Sequence, residues 1–204
     1  MAFTSVNPAT GSVIERHDAH AADEVEQRLA QAEAAVATQR RRSVAERATR
    51  MHRIADRLEA DAHTHGERIT REMGKPLPQA VGEVEKCAWV CRYYADHAAE
   101  FLADEPADTD AQKSVVAYEP LGPVLAVMPW NYPFWQVFRF SAPALMAGNT
   151  VLLKHAPNTI GCALAIEDLV REAGFDAHEL QTLVIGEPDV ADVIADRRVR
   201  AVTL

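Results

Sequence analysis

The chain has 204 residues, a length that fits one domain or one and a half. Its formal net charge is −9, from 30 acidic and 21 basic side chains, which argues against nucleic acid as a partner because phosphate binding needs clustered Lys and Arg. With 48% hydrophobic and 25% charged residues, the composition is that of a soluble globular protein, and no apolar stretch approaches the roughly 18 residues of a membrane span.

Nothing in the sequence indicates export. The first dozen residues have neither a basic start nor an apolar run, so no signal peptide is visible. The three cysteines, an odd number, suit a reducing compartment. We therefore expect a cytoplasmic protein that has no membrane partner.

The amino-terminal half predicts a hairpin followed by helices. Turn residues at 7–11 separate two short extended pieces. Apolar residues that recur every three or four positions then predict three helices, marked by Val25–Val36, Val44–Ala62 and Ala80–Phe101. One basic run is diluted by acids and predicts a solvated helix face: Arg40, Arg41, Arg42, Arg47 and Arg50.

The period changes after the acidic link 103–110. Residues 114–118 and 124–127 predict strands on either side of the turn 120–123. Strands and helices then alternate, with strands at 150–153, 183–185 and 199–204 and helices at 158–173 and 188–195. This alternation predicts a parallel α/β sheet with crossover helices.

The chain stops inside a β-run. In an open α/β sheet, ligands bind beyond the carboxyl ends of the strands, so residues after the last strand would belong to the site. We therefore expect the chain to be a truncated part of a longer protein.

Asn131 is the first candidate for chemistry. It follows the strand 124–127, between Pro129 and Pro133, which fix φ on either side of it. Its side-chain amide donates N–H bonds without bringing charge, as a developing oxyanion requires. The alternative is an N-cap for the helix that begins near Phe134, and composition alone favours that cap.

Several motifs together resemble the aldehyde dehydrogenase superfamily along the whole chain. They are Pro129–Pro133, Ala147–Asn149 and Leu153–Lys154, supported by Asn7–Gly11, Glu72–Pro76 and Glu172–Phe175. The resemblance implies an α/β fold in which amino-terminal helices accompany a Rossmann-like parallel sheet, here truncated. Residues 1–204 would be the amino-terminal part of the cofactor-binding domain, with the strands of 114–127 used for oligomerisation and the catalytic domain absent.

The resemblance also implies a cofactor site and one catalytic donor. Asn131 matches the side-chain half of the family's oxyanion hole. The positions expected to touch the cofactor are Met128, Pro129, Trp130, Asn131, Lys154, Ala156 and Pro157. For Lys154 the alternative is a lysine that merely extends to solvent from a strand end.

Pro157 bears on the choice of cofactor. Many NAD-preferring relatives carry a glutamate at this position, three residues after the lysine, and that glutamate binds the adenosine ribose. Without the carboxylate, the repulsion of a 2′-phosphate is removed. We therefore expect NADP or NAD as cofactor, with NADP favoured.

Arg139 suggests a substrate. It shares a helix face with Trp135, one turn earlier. On so apolar a helix, an arginine is expected to need an anionic partner, and from spacing alone a structural ion pair is slightly favoured. Arg139 and Trp135, however, resemble the succinate-semialdehyde dehydrogenase group of the family, in which the arginine holds the substrate's distal carboxylate.

The implied chemistry extends beyond these residues. The family's nucleophilic cysteine, its glutamate base and its phosphate loop would lie after Leu204. Cys87, Cys91 and Cys162 are expected to be packing residues, and no metal site is predicted. We expect a small-molecule aldehyde substrate and a homodimer or homotetramer, and the alternative is a non-catalytic nucleotide- or partner-binding homologue.

Overall fold

The computed structural model describes residues 2–204. An antiparallel ribbon opens the chain, formed by β1 (Ala2–Val6) and β2 (Val13–Asp18), which confirms the predicted hairpin. Four helices follow: α1 (Ala22–Arg41), α2 (Val44–Ala60), α3 (Ala62–Met73) and α4 (Leu77–Phe101).

The sequence predicted three helices here, so α3 was missed. Its sequence, AHTHGERITREM, carries few large apolar residues, and Ile69 is the one that is fully buried. Recurring large apolar side chains, the signal that predicted the other helices, are therefore scarce in α3. Gly74, with φ of +79°, ends it in the left-handed region that favours glycine.

The prediction that the basic run is exposed to solvent is wrong for Arg47. This side chain is buried, and its guanidinium donates to the carbonyls of Gln39, Arg42 and Met146. It thereby joins the α1–α2 corner to the end of a helix far along the chain. Because three of its N–H groups find carbonyl acceptors, Arg47 can be buried without an acidic partner among residues 2–204.

The carboxyl-terminal half contains a parallel sheet of four strands in the order β7-β6-β5-β8. Strands and helices alternate along it as predicted: β5 (Pro123–Met128), α5 (Trp135–Met146), β6 (Thr150–His155), a 3-10 turn (Pro157–Thr159), α6 (Ile160–Glu172), β7 (Leu180–Thr182), α7 (Glu187–Ala195) and β8 (Ala201–Thr203).

The strand predicted at 183–185 lies three residues earlier in the structure. The strand is β7, at 180–182. After it, Leu183 and Ile185 pack in the second core, and the Leu183 amide still donates to the Leu153 carbonyl of β6. Polar side chains concealed β7 in the sequence. Gln181 donates to the carbonyl of Arg28 and Thr182 to that of Ala163, so both are buried with partners.

Each face of the sheet has its own core. Ala126, Met128 and Leu153 pack with α2 to α6 on one face, whereas Leu125 and Leu152 pack with α1 and α7 on the other. Successive residues of a strand point to opposite faces, so both faces must be apolar when helices cover both. This explains why β5 and β6 read as continuous apolar runs.

A second ribbon stands apart from the sheet. It pairs β3 (Glu105–Pro106) with β4 (Val115–Val116). The predicted strand 114–118 is therefore shorter than expected, and its partner lies in the segment predicted as a link. Val115 and Val116 are exposed, whereas β5, the other part of the predicted 114–127 region, is buried in the sheet.

The motif Ala147–Asn149 has a structural role. Asn149 is buried, accepts from the Gly122 amide and donates to the Ala144 carbonyl, which ties the end of α5 to the start of β5. Gly148 has φ of +88°, a conformation that favours glycine.

Within residues 2–204, no helix combines the length and the apolar character required to cross a bilayer.

Candidate functional site

The strand order locates the crevice where a ligand can bind. From β5 the chain moves outward through β6 to β7, then returns to place β8 on the other side of β5. This reversal is a topological switch point, and ligands of open α/β sheets bind beyond the carboxyl ends of the strands there. The segment that leaves β5 at this end is 129–134, here called the Asn131 loop.

Asn131 is exposed in this loop and does not cap α5. The helix has its N-cap at Phe134, without a side-chain capping bond. The amides of Phe134 and Trp135 instead donate to Oε1 of Glu83, at 2.9 and 3.0 Å. The capping alternative is therefore wrong, and the Asn131 amide is left without that structural task.

The α4 side holds the loop through a buried pair of charges. Glu83 on α4 is bonded through Oε2 to Lys75, and both side chains are buried. The Lys75 ammonium also lies 3.6 Å from the centroid of the Tyr132 ring. Such a contact is favourable when the cation is desolvated, so Lys75 restrains Tyr132 beside Asn131.

The sheet holds the same loop through His155, the last residue of β6. Its Nε2 lies 2.9 Å from the carbonyl oxygen of Pro133. Its Nδ1 lies 2.8 Å from both the Ala156 amide and the Thr159 hydroxyl. Burial lowers the pKa of His155 to about 4, so the ring is neutral near pH 7.

Lys154 lies inside β6 rather than at its end, since the strand continues to His155. It pairs in register with Val127 of β5, close to the crevice. Its side chain is only 6% exposed, and no carboxylate in residues 2–204 forms an ion pair with it. A cation so placed is suited to an anionic or hydroxyl-rich ligand.

The other positions expected to touch a cofactor lie in or just after β5 and just after β6, at the same end of these two parallel strands. Pro129 and Trp130 are exposed in the Asn131 loop, and Pro157 is exposed in the 3-10 turn that follows β6. Ala156 is half-buried at the start of that turn. The Met128 side chain is buried in the larger core, so any contact it makes with a cofactor must involve its backbone.

Arg139 is exposed on α5, which corrects the expectation that it needs an anionic partner within the protein. Among the described residues it takes part in no ion pair. Trp135 is half-buried one turn earlier, and the ammonium of Lys86 lies 3.9 Å from the centroid of its ring. Lys86 and Arg139 thus place two cations near Trp135, and charged donors of this kind bind carboxylates.

The sequence reasoning missed the residues that hold the Asn131 loop. Lys75 lies in the family motif Glu72–Pro76, but the sequence predicted no role for it. It predicted none for Glu83 or His155 either. The available signal was an acid within the apolar stripe of α4 and a histidine at the end of an apolar strand. Neither signal names its partner, because both partners are distant in sequence.

Glu72 has a similar task at the neighbouring crossover. Its carboxylate is buried and accepts from the amides of Gly161 and Cys162 at the start of α6, and from the Ser5 hydroxyl. Each of the helices α5 and α6 is thus capped at its amino end by a glutamate from another helix. A carboxylate there is favoured by the helix dipole.

The three thiols are buried and free, as expected of packing residues. Burial raises the pKa of Cys87, Cys91 and Cys162 above the ordinary value of a thiol. A thiol held in its protonated form is a poor nucleophile. All three therefore contribute to packing in the larger core.

Comparison with known proteins identifies the family. A sequence profile described as "Aldehyde dehydrogenase family" matches residues 1–204. A Synechocystis protein named probable succinate-semialdehyde dehydrogenase (NADP+) is 50% identical over 204 residues, which are 100% of this chain and 45% of that protein. A Mycobacterium leprae succinate-semialdehyde dehydrogenase (NADP+) is 45% identical over 207 residues, again 100% of this chain and 45% of its own length.

A solved structure shows the same fold. The succinic semialdehyde dehydrogenase of Streptococcus pyogenes, in complex with NADP+, matches with a TM-score of 0.94 at 35% identity. The match covers 98% of this chain and 44% of that one. The chain therefore spans less than half the length of these relatives.

The fold defines a Rossmann-like α/β protein, and its candidate site lies at the switch point of the parallel sheet. With the profile match along its whole length, the chain belongs to the aldehyde dehydrogenase family.

Proposed function

We propose that the chain supplies the amino-terminal, cofactor-binding part of an NADP- or NAD-dependent dehydrogenase that oxidises an aldehyde to a carboxylate. The observation that carries this proposal is that the Asn131 side chain is exposed and does not cap a helix. Its amide is exposed at the carboxyl end of the central strand β5, and Glu83 has taken over the capping of α5. An exposed, charge-neutral donor on a well-anchored loop is suited to stabilising a developing oxyanion.

The cofactor is proposed from Lys154 and Pro157. Lys154 offers a nearly buried cation beside the crevice, and Pro157 leaves no carboxylate at the position where NAD-preferring relatives carry one. A 2′-phosphate is therefore not repelled there. NADP is the favoured cofactor, which agrees with the names of the relatives from Synechocystis and Mycobacterium leprae.

The substrate is proposed to be a short aldehyde with a carboxylate at its other end, with succinate semialdehyde first. Arg139 is exposed and without an acidic partner in residues 2–204, and Lys86 adds a second cation beside Trp135. The two cations compensate one substrate charge at a distance from the reacting aldehyde. The relatives named above carry this substrate in their names.

The nucleophilic cysteine and the glutamate base of this chemistry are proposed to lie outside residues 1–204. The three thiols within the chain are buried and have raised pKa values, so none suits attack on an aldehyde. Free, reduced thiols are also consistent with a cytoplasmic location, which is part of the proposal.

Assembly is proposed through the β3–β4 ribbon, into a homodimer or homotetramer. Within the expected region 114–127, the exposed large apolar residues all precede β5, which is buried: Val115, Val116, Tyr118 and Leu121. Among residues 2–204 the ribbon has only two short strands, so both of its edges can pair with another chain.

The decisive experiment is oxidation of succinate semialdehyde by the complete gene product, followed through formation of NADPH. We expect turnover that is faster with NADP than with NAD. Replacement of Asn131 by Ala removes the oxyanion donor and should lower kcat by about 100- to 1,000-fold. A complete product that oxidises no aldehyde would instead support a non-catalytic nucleotide- or partner-binding role.

Arg139→Leu tests the substrate. We expect KM for succinate semialdehyde to rise by about 10- to 100-fold, because one charged hydrogen bond to the carboxylate is lost. KM for butanal, a chain of the same length without the carboxylate, should stay close to its wild-type value. Equal losses on both aldehydes would show that Arg139 does not recognise the carboxylate.

A further inference from the structure

His155 lies between the two segments on which the proposed function depends. It ends β6, directly after Lys154, and its side chain is 4% exposed. Successive side chains of a strand point to opposite faces of the sheet. His155 therefore points to the face covered by α5 and α6, away from the face on which Lys154 lies.

Both ring nitrogens of His155 have defined partners. The Pro133 carbonyl can only accept, so the Nε2 that lies 2.9 Å from it carries the proton. Nδ1 is then free to accept, and it does so from the Ala156 amide and the Thr159 hydroxyl. The ring thus connects the Asn131 loop, through Pro133, with the turn 156–159 on the cofactor side.

This connection completes the support of the loop. Glu83 and Lys75 hold it from α4, at Phe134, Trp135 and Tyr132. His155 holds it from the sheet, at Pro133. The loop is therefore held from the helical layer on one side and from the sheet on the other. Asn131 itself does not cap α5.

We propose that His155 is a positioning residue, which sets the place of the Asn131 amide through the Nε2–H bond to Pro133 and ties it to the cofactor-side turn. The inference rests on the proposed function, because a position matters only if Asn131 meets an oxyanion. A displacement of about 1 Å in a catalytic group can cost on the order of 100-fold in rate. Loss of the bond should therefore lower kcat, with little effect on binding.

Two variants separate the two sides of the ring. A glutamine amide reaches the position of Nε2 and keeps a donor for Pro133, whereas an asparagine reaches only that of Nδ1 and keeps the bonds to Ala156 and Thr159. In the complete enzyme, we expect His155→Asn to lower kcat by about 10- to 100-fold while His155→Gln stays close to wild type. KM for the aldehyde and Kd for NADP should change by less than about twofold in both variants.

Amide hydrogen exchange supplies a readout that needs no reaction. In His155→Asn the amides of residues 130–136 should exchange faster than in the wild type, and those of α1 should not change. His155→Gln should restore the slow exchange. A wild-type enzyme that oxidises no aldehyde would remove the proposed function, while the exchange comparison would still decide whether His155 holds the loop.

Three results would overturn the inference. The first is wild-type kcat and wild-type exchange in His155→Asn. The second is an equal loss in both variants, which would indicate general damage to the fold. The third is a weakened Kd for NADP with unchanged kcat, which would assign His155 to the cofactor side alone.

Discussion

Under the proposed function, two polar residues at the same end of the sheet, Asn131 and His155, divide one task. Asn131 is exposed and bonded to no helix end, whereas His155 is buried with both ring nitrogens occupied. The exposed amide keeps its donors for a ligand, and the buried ring keeps the loop in place. The family motif identified the first of these residues, and the second became visible only through its partners.

The burial of His155 has a consequence for stability. Its pKa is lowered from 6.5 in the unfolded chain to about 4 in the fold, first because burial disfavours the charged ring and also because Lys154 is close. As the pH falls below 6.5, the unfolded chain takes up the proton first, so the free energy of unfolding decreases until about pH 4. The total loss should be about 3 kcal/mol.

Urea denaturation between pH 7 and pH 4 measures this loss. His155→Gln, which has no titratable ring in this range, is the control and should show a shallower decrease over the same interval. Parallel curves for wild type and variant would contradict the assignment of a neutral, buried ring to His155.

At the scale of elements, the crossover helices α5 and α6 share one device. Each receives a buried carboxylate at its amino end, from Glu83 on α4 and from Glu72 on α3. The helical layer is thereby joined to the sheet layer at the end where the crevice lies. The sequence predicts helices that begin near Phe134 and at 158 but contains no information about these caps, because each cap depends on how two layers are packed.

Gly161 is the position at which the second cap can be tested. A Cβ there would collide with the Glu72 carboxylate and would approach Nη1 of Arg68 to 3.0 Å. Gly161→Ala should therefore lower the free energy of unfolding by about 1 to 3 kcal/mol, as overpacking does. Thermal and urea unfolding measure this change.

Gly82→Ala is the matched control for Gly161→Ala. Gly82 lies in α4, and a Cβ there would meet nothing within 4 Å. The substitution should stabilise the protein by about 0.5 to 1 kcal/mol, since alanine is the better helix former. Equal effects of the two substitutions would show that the Glu72 cap is not sensitive to this close approach.

At the scale of the whole molecule, the sheet divides the structure into two cores and leaves the β3–β4 ribbon outside both. The faces of β5 and β6 are covered by helices, so these strands have no apolar surface to offer a second chain. Val115 and Val116 on the ribbon are exposed instead. Association of two chains is therefore expected at the ribbon.

Val116→Lys tests this surface, with Val13→Lys as the control. The two valines are 51% and 53% exposed, and each lies in a two-stranded ribbon, so they differ chiefly in location. Sedimentation velocity should show a smaller assembly for Val116→Lys and the wild-type assembly for Val13→Lys. A monomeric wild type, or the same change in both variants, would argue against the ribbon as the interface.

The sequence by itself determined the amino-terminal hairpin, three of the four first helices, the alternation of strands and helices and the motif around Asn131. These features depend on periodicity and on residues that are adjacent in the chain. Where large apolar side chains were scarce, in α3, or where strand residues were polar, in β7, prediction failed for that reason.

Only the tertiary structure decided which groups hold the site. Glu83 reaches the Phe134 amide across 51 positions of sequence, and His155 reaches the Pro133 carbonyl across 22. It also decided that Arg47 is buried and Arg139 exposed, although both are arginines on helices. A local pattern states what a side chain can donate or accept, and the packing of the layers determines which partner it meets.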